Sequence, residues 1–316
     1  MVFLDWGNLV RANDPVASIV GILLPLGPPE TIPQKLRLTH LAKCGMVATH
    51  PNGPLRPWRS FGENHAMLGS ANTQSPGYFS ATKHAWPTLL FLLPLLGAYE
   101  GGVIWMGGEQ SEALRNGADA WLRWALQVFG LKHILLMPMI VLGWLLLRSV
   151  LGWGSRPSGN LGIVLGMAVE SGIFALGLWS LSRNFGPLLE HFGIPLQVPA
   201  QWTANELAMA RIITFVGAGI YEEVLFRLLI FSGMVLMLRI IFFPKFLAIP
   251  IAAIGSALLF AAAHHIGTYG EPFDRYVFLF RAAAGLYFAF LYQFRGFGVA
   301  VGTHAGYDVL VGLQLG

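Results

Sequence analysis

Seven apolar runs fill most of the chain beyond residue 85, at 86–106, 125–147, 161–181, 212–238, 246–263, 277–294 and 297–315. Crossing the hydrocarbon of a bilayer takes a helix of about 20 such residues, so each run is long enough to span. No water is available at that depth, and every backbone N–H and C=O must be bonded within the segment. Runs rich in Leu, Ala and Gly meet that demand as helices. An amphipathic stretch at 202–215 supplies a candidate eighth span. The expected fold is all-α, a polytopic transmembrane helix bundle of seven to eight spans. Gly162, Gly166 and Gly172 in the third run are expected to let neighbouring helices approach closely.

Composition excludes the main alternatives. Apolar residues make up 55% of the chain and charged residues 11%, with a mean hydropathy of +0.59. A soluble domain carries roughly a quarter charged residues, so this chain lacks the polar surface to cover itself in water. The same paucity of charge argues against a nucleic-acid partner despite a net charge of +4. Cys44 is the single cysteine, which excludes an intramolecular disulfide and a C-x-x-C zinc module.

The charge and the prolines concentrate at one end. Residues 1–84 hold seven Lys/Arg, four acids and nine of the nineteen prolines. Their one apolar run, 16–26, is too short to span, is preceded by Asp5 and Asp14, and leads to no A-x-A cleavage site. This leader shows no sustained period and is expected to be disordered. The chain thus divides into a polar, Pro-rich leader (1–84) and a transmembrane domain (85–316). Basic residues flanking the spans divide six against six between the two sides, so the positive-inside rule sets no orientation.

Ionisable groups inside spans carry the information about function, because each costs roughly 2.5–3.5 kcal/mol at mid-helix and needs a partner or a task. Six of them form three short signatures. In Glu222-Glu223-Val-Leu-Phe-Arg227, Glu223 and Arg227 stand four apart in the favourable order for a helical ion pair. Glu222 lies about 100° round the helix, away from that arginine. In Phe260-Ala-Ala-Ala-His264, the aromatic ring and the imidazole share a helix face. In His304-Ala-Gly-Tyr-Asp308, a second His and an acid share a face well inside the last apolar run. Each signature alone is compatible with structural polar pairing. Glu100 and Glu170 have no assigned role.

The order E-E-x-x-x-R, F-x-x-x-H, H-x-x-x-D resembles the CAAX protease and bacteriocin-processing (CPBP) family of intramembrane glutamic endopeptidases. The stretches Arg281-Ala-Ala-Ala-Gly285-Leu-Tyr and Arg295-Gly296-Phe297-Gly298 also look like bacterial members. The resemblance implies an integral, multi-pass protein of a bacterial-type cell membrane that hydrolyses a peptide bond. It implies that Glu222 and His264 activate water, that Glu223 and Arg227 support the glutamate, and that His304 and Asp308 stabilise the oxyanion. Many members carry Asn at the position of Asp308; an amide donates a hydrogen bond, whereas an ionised carboxylate only accepts. The implied partners are the lipid bilayer and a peptide or protein substrate, with prenylated or other membrane-associated proteins as candidates. No cofactor is implied.

Three other readings stay open on the residues alone. His264, His304 and Glu222 or Asp308 could supply a zinc site, although the H-E-x-x-H helix that usually builds one is absent. The polar groups could hold together a membrane chaperone or immunity-type binding protein that cleaves nothing. A proton-coupled transporter would use the same groups as a relay, and Glu100 and Glu170 would fit it.

Overall fold

Residues 77–193, 208–267 and 270–314 are described by the structure, a computed structural model, and the regular structure among them is entirely helical. After a single turn at Tyr78–Ala81 come α1 (Ala85–Gly107), α2 (Gly117–Val128), α3 (Leu136–Leu151), α4 (Asn160–His191) and α5 (Ala208–Glu223). They are followed by α6 (Ser232–Ile240), α7 (Lys245–Ala263), α8 (Arg275–Arg295) and α9 (Phe297–Gln314). A π-helical segment, Val224–Phe231, joins α5 to α6 without a break. Helices α1, α4, α7 and α8 are long and apolar enough to cross a membrane; α3 is apolar but shorter.

Helix α4 shows why the bundle needs lipid around it. Ile163, Met167, Ser171, Ala175 and Leu178 form its buried face. Leu161, Leu165, Val169, Ile173 and Leu176 form the opposite face and stand 52–73% exposed. A helix apolar all round is suited to a membrane, where the outward stripe meets acyl chains instead of water.

The sequence reading differs from the structure at two spans. The run 125–147 is divided: α2 ends at Val128, Gly130 turns the chain at φ 78°, and helix resumes at Leu136. Glycine in the left-handed region is a common helix terminator, and the exposed Lys132 and His133 that follow favour a polar loop there. Helix α2 is instead amphipathic and is capped by Asn116, whose side chain accepts from the Asp119 N–H at 2.9 Å. In the stretch 202–215, residues 208–215 are the opening turns of α5 and so make no separate span, while 202–207 lie outside the described residues.

Most of the leader also lies outside the described residues; its residues 77–84 are among those described. The Tyr78 hydroxyl donates to Glu170 at 2.7 Å, and the Thr82 hydroxyl donates to the Arg295 carbonyl at 2.9 Å. Arg295 in turn pairs with Glu170. Glu100 is likewise paired, with Arg115 and Arg123, each at 3.2 Å. Those two arginines flank Asp119 at 2.8 and 2.7 Å, and the Tyr221 hydroxyl donates to Glu100 at 2.5 Å. Both acids without an assigned role are therefore held by arginines, Glu100 in a buried network and Glu170 in a partly buried one.

The packing that places the signatures is close. Helix α9 packs against α4 and α5, and α8 packs against α7. The expected close approaches are not at Gly162 or Gly172, where an added Cβ would meet nothing; Gly166 faces the Tyr78 ring. They occur at Gly219 on α5, where a Cβ would fall 2.6 Å from the Ala305 nitrogen of α9, and at Gly285 on α8, against Ala257 of α7. Gly296, at φ 99°, turns α8 directly into α9 with its missing Cβ toward the Thr82 carbonyl.

Candidate active site

The three signatures arrive on three elements and meet. Glu222 and Glu223 end α5, and Arg227 lies in the π segment. His264 caps the C-terminus of α7, and His304 and Asp308 sit two and three turns into α9. A π segment commonly marks a functional site, and here it begins directly after the glutamate pair. The Ser232 hydroxyl, just beyond it, donates to the Arg227 carbonyl at 2.9 Å.

Glu223 and Arg227 form the expected ion pair at 3.2 Å, with both side chains inaccessible. Arg227 also donates to the Gly285 carbonyl at 3.2 Å and lies 5.0 and 5.6 Å from the ring centres of Phe260 and Phe288. The second oxygen of Glu223 stands 2.9 Å from His304 Nδ1. A carboxylate paired with arginine accepts, so Nδ1 carries the proton in this contact. The Phe288 ring stacks on His304 at 4.2 Å and 14°, and Phe260 approaches it edge-on at 5.8 Å. His304 is thus fixed in tautomer and in plane.

His264 is fixed in the same way by its own helix. Its Nδ1 lies 2.8 Å from the Phe260 carbonyl, which can only accept, so Nδ1 donates and Nε2 of the neutral ring is left as a proton acceptor. That nitrogen faces Glu222 Oε2 at 3.8 Å, and His304 Nε2 faces the same oxygen at 3.7 Å. Asp308 Oδ2 stands 3.6 Å from His304 Nε2. The oxygen of Glu222 on which both imidazoles converge has no hydrogen bond from the described residues. All three separations exceed a direct hydrogen bond and match groups that share a small ligand between them.

Glu222, His264, His304 and Asp308 are brought together, with Glu223 and Arg227 behind them. The four front groups could take a proton from water and hold a developing negative charge. Among the described residues, no group of three or more His, Cys, Asp or Glu side chains is placed to hold a metal ion.

Sequence reasoning missed three contributors. Phe288 carries no motif, although it lies seven residues, two turns, after Arg281 on the same face of α8. Glu223, on a different helix, orients His304 through Nδ1. The network under Tyr221 left one local trace in the sequence, Asp119 and Arg123 four apart on α2, while Arg115 precedes the Asn116 cap in extended backbone.

Residues 204–310 match the family model described as type II CAAX prenyl endopeptidase, Rce1-like. The matched segment contains every residue of the three signatures, so the resemblance to CAAX proteases holds over the part of the chain that builds the site. No curated protein and no solved structure gives a significant match. The match supports a protease acting on a protein or peptide, and the apolar helices support an integral membrane protein.

Proposed function

We propose that this chain is a multi-pass endopeptidase of a bacterial-type cell membrane that hydrolyses a peptide bond with water activated between Glu222 and His264. The observation that carries the reading is the convergence of two oriented imidazole nitrogens, at 3.7 and 3.8 Å, on one carboxylate oxygen that no described residue hydrogen-bonds. Water placed there gives one proton to Glu222 while its other hydrogen is held by His264 Nε2. The oxygen then attacks the substrate carbonyl. Both acceptors are preorganised: His264 by the Phe260 carbonyl, Glu222 by the helix that Glu223 and Arg227 anchor.

His304 and Asp308 stand where the carbonyl oxygen would gather charge. Nδ1 of His304 already gives its proton to Glu223, so donation to an oxyanion falls to Nε2 and requires the imidazolium. Asp308 contributes a second donor when protonated. Collapse of the tetrahedral intermediate expels the amine, which takes its proton from Glu222. No step needs a metal or a serine or cysteine nucleophile. Substrates that are prenylated or otherwise membrane-associated would reach the site from the lipid phase.

The test is cleavage of a peptide library by purified full-length protein in detergent, with Glu222→Ala beside it. Cleavage by the parent and none by the variant supports the reading. Peptide binding without cleavage by either protein favours a chaperone or immunity-type protein that uses the same polar groups as glue.

A further inference from the structure

Arg156 is a cation that the chemistry above does not use, and it is held without a counter-charge among the described residues. It lies in the connection from α3 to α4, half-buried. Its guanidinium carbon stands 3.4 Å from the ring centre of Trp153 and 4.2 Å from that of Trp86, the second residue of α1. Trp86 is fixed in its turn by the first residue of α4. With the Asn160 amide turned to suit both neighbours, its oxygen accepts from Trp86 Nε1 and its nitrogen donates to the Pro157 carbonyl, each at 3.2 Å. Contacts with two indole faces fix a guanidinium through its flat side and leave the N–H groups on its edge for an acceptor. Among the described residues no carboxylate pairs with Arg156, and its buried Nε meets no acceptor.

The surroundings of Arg156 define the acceptor. Contacts between Trp144 and Phe297, and between Arg295 and Phe79, gather the end of α3, the turn from α8 to α9 and the turn that leads into α1 at one end of the bundle. That end carries Lys83, Arg148, Arg156 and Arg295 against one acid among the described residues, Glu170, which Arg295 already holds. An acceptor drawn there is anionic. The adjoining wall is apolar: Leu147, Val150 and Leu151 of α3, Trp153, and Leu161 and Leu165 of α4 stand 57–76% exposed. A free anion has no use for that wall, whereas acyl chains cover it, and indoles at the ends of spanning helices sit at headgroup level. We infer that Arg156 binds the phosphate of an anionic phospholipid, with Trp86 and Trp153 presenting the guanidinium and the exposed leucines of α3 and α4 receiving the acyl chains. This lipid site does not depend on the peptide-hydrolase reading.

The test is lipid binding to the full-length protein, purified in a non-ionic detergent and stripped of lipid. Phosphatidylglycerol and phosphatidylcholine with the same acyl chains would be titrated in, and the lipid bound per chain counted by native mass spectrometry. Phosphatidylglycerol is expected to bind at least about fivefold more tightly, the pull of one basic residue on a charged headgroup. Arg156→Gln should lose that preference, and Arg156→Lys and Trp153→Leu should each keep only part of it. Lys132→Gln, at an exposed cation in the loop between α2 and α3, should keep all of it. Inorganic phosphate at millimolar concentration should displace neither lipid. Equal binding of the two lipids by the parent, or a preference unchanged in Arg156→Gln, would overturn the inference. If that variant does not fold, an unchanged preference in Trp153→Leu would do so. An equal loss in Lys132→Gln would replace the site by diffuse attraction, and displacement of phosphatidylglycerol by phosphate would replace it by a free-anion site; either result overturns the inference.

Discussion

Replacing Glu223 by Gln is expected to weaken the whole bundle, whereas the same change at its neighbour Glu222 should not. Glu223 serves two buried partners at once: Arg227 at 3.2 Å through one oxygen and His304 Nδ1 at 2.9 Å through the other. An amide keeps one acceptor and turns the second oxygen into a donor, so it can satisfy only one of them. The Arg227 cation would remain, fully inaccessible, with the Gly285 carbonyl and two aromatic rings for company. Removing one member of a buried pair costs about 3–5 kcal/mol, because the surviving charge stays out of water. At roughly 2–4 °C per kcal/mol for a unit of this size, the melting temperature should fall by about 6–20 °C. The assay is thermal unfolding of the full-length protein in detergent. Glu223→Gln with Arg227→Met should recover most of the loss, since an apolar replacement of both partners is close to neutral. A fall below about 2 °C, or a double variant no better than the single one, would refute the argument.

Three further outcomes are expected. Asp308→Asn should keep its activity and extend it to higher pH, because the amide donates at every pH; a loss of rate beyond about a hundredfold in a pH–rate profile would show that the acid itself is required. Chelators should leave hydrolysis intact, and metal analysis should find less than one zinc per chain; activity lost to EDTA and restored by zinc alone would establish a metalloprotease. Gly219→Leu should push α9 away from α5 at Ala305, beside His304, and lower both melting temperature and turnover. Unchanged turnover in that variant would mean that the Glu223–His304 contact does not depend on this approach.

The sequence carried the site further than it carried the bundle. Glu223 and Arg227, His264 and Phe260, and His304 and Asp308 are all pairs spaced by one helical turn, so helical periodicity alone puts each pair on one face. Which faces meet is not a local property. It is decided by bare contacts such as Gly219 against Ala305, and nothing in the surrounding residues distinguishes Gly219 from Gly162, which faces open space. The orienting role of Glu223 toward His304 was hidden for the same reason, because the two lie 81 positions apart. The run 125–147 misled because hydropathy averages across Gly130, Lys132 and His133, while a helix ends at a single residue in the left-handed region. Glu100 and Glu170 looked like free acids in apolar runs. Their partners, Arg115 and Arg123 beyond the end of α1 and Arg295 at the end of α8, become visible only once the helices are packed.

The central claim is that Glu222 takes the proton of the attacking water, and the direct measurement is the turnover of Glu222→Gln against the parent on one cleavable peptide, with melting temperature followed in parallel. Loss of a general base lowers the rate by about a hundredfold to ten-thousandfold. The account expects at least that loss with a melting temperature close to the parent's, since the Glu222 oxygen that meets the imidazoles bonds to nothing among the described residues. Turnover near that of the parent would contradict it.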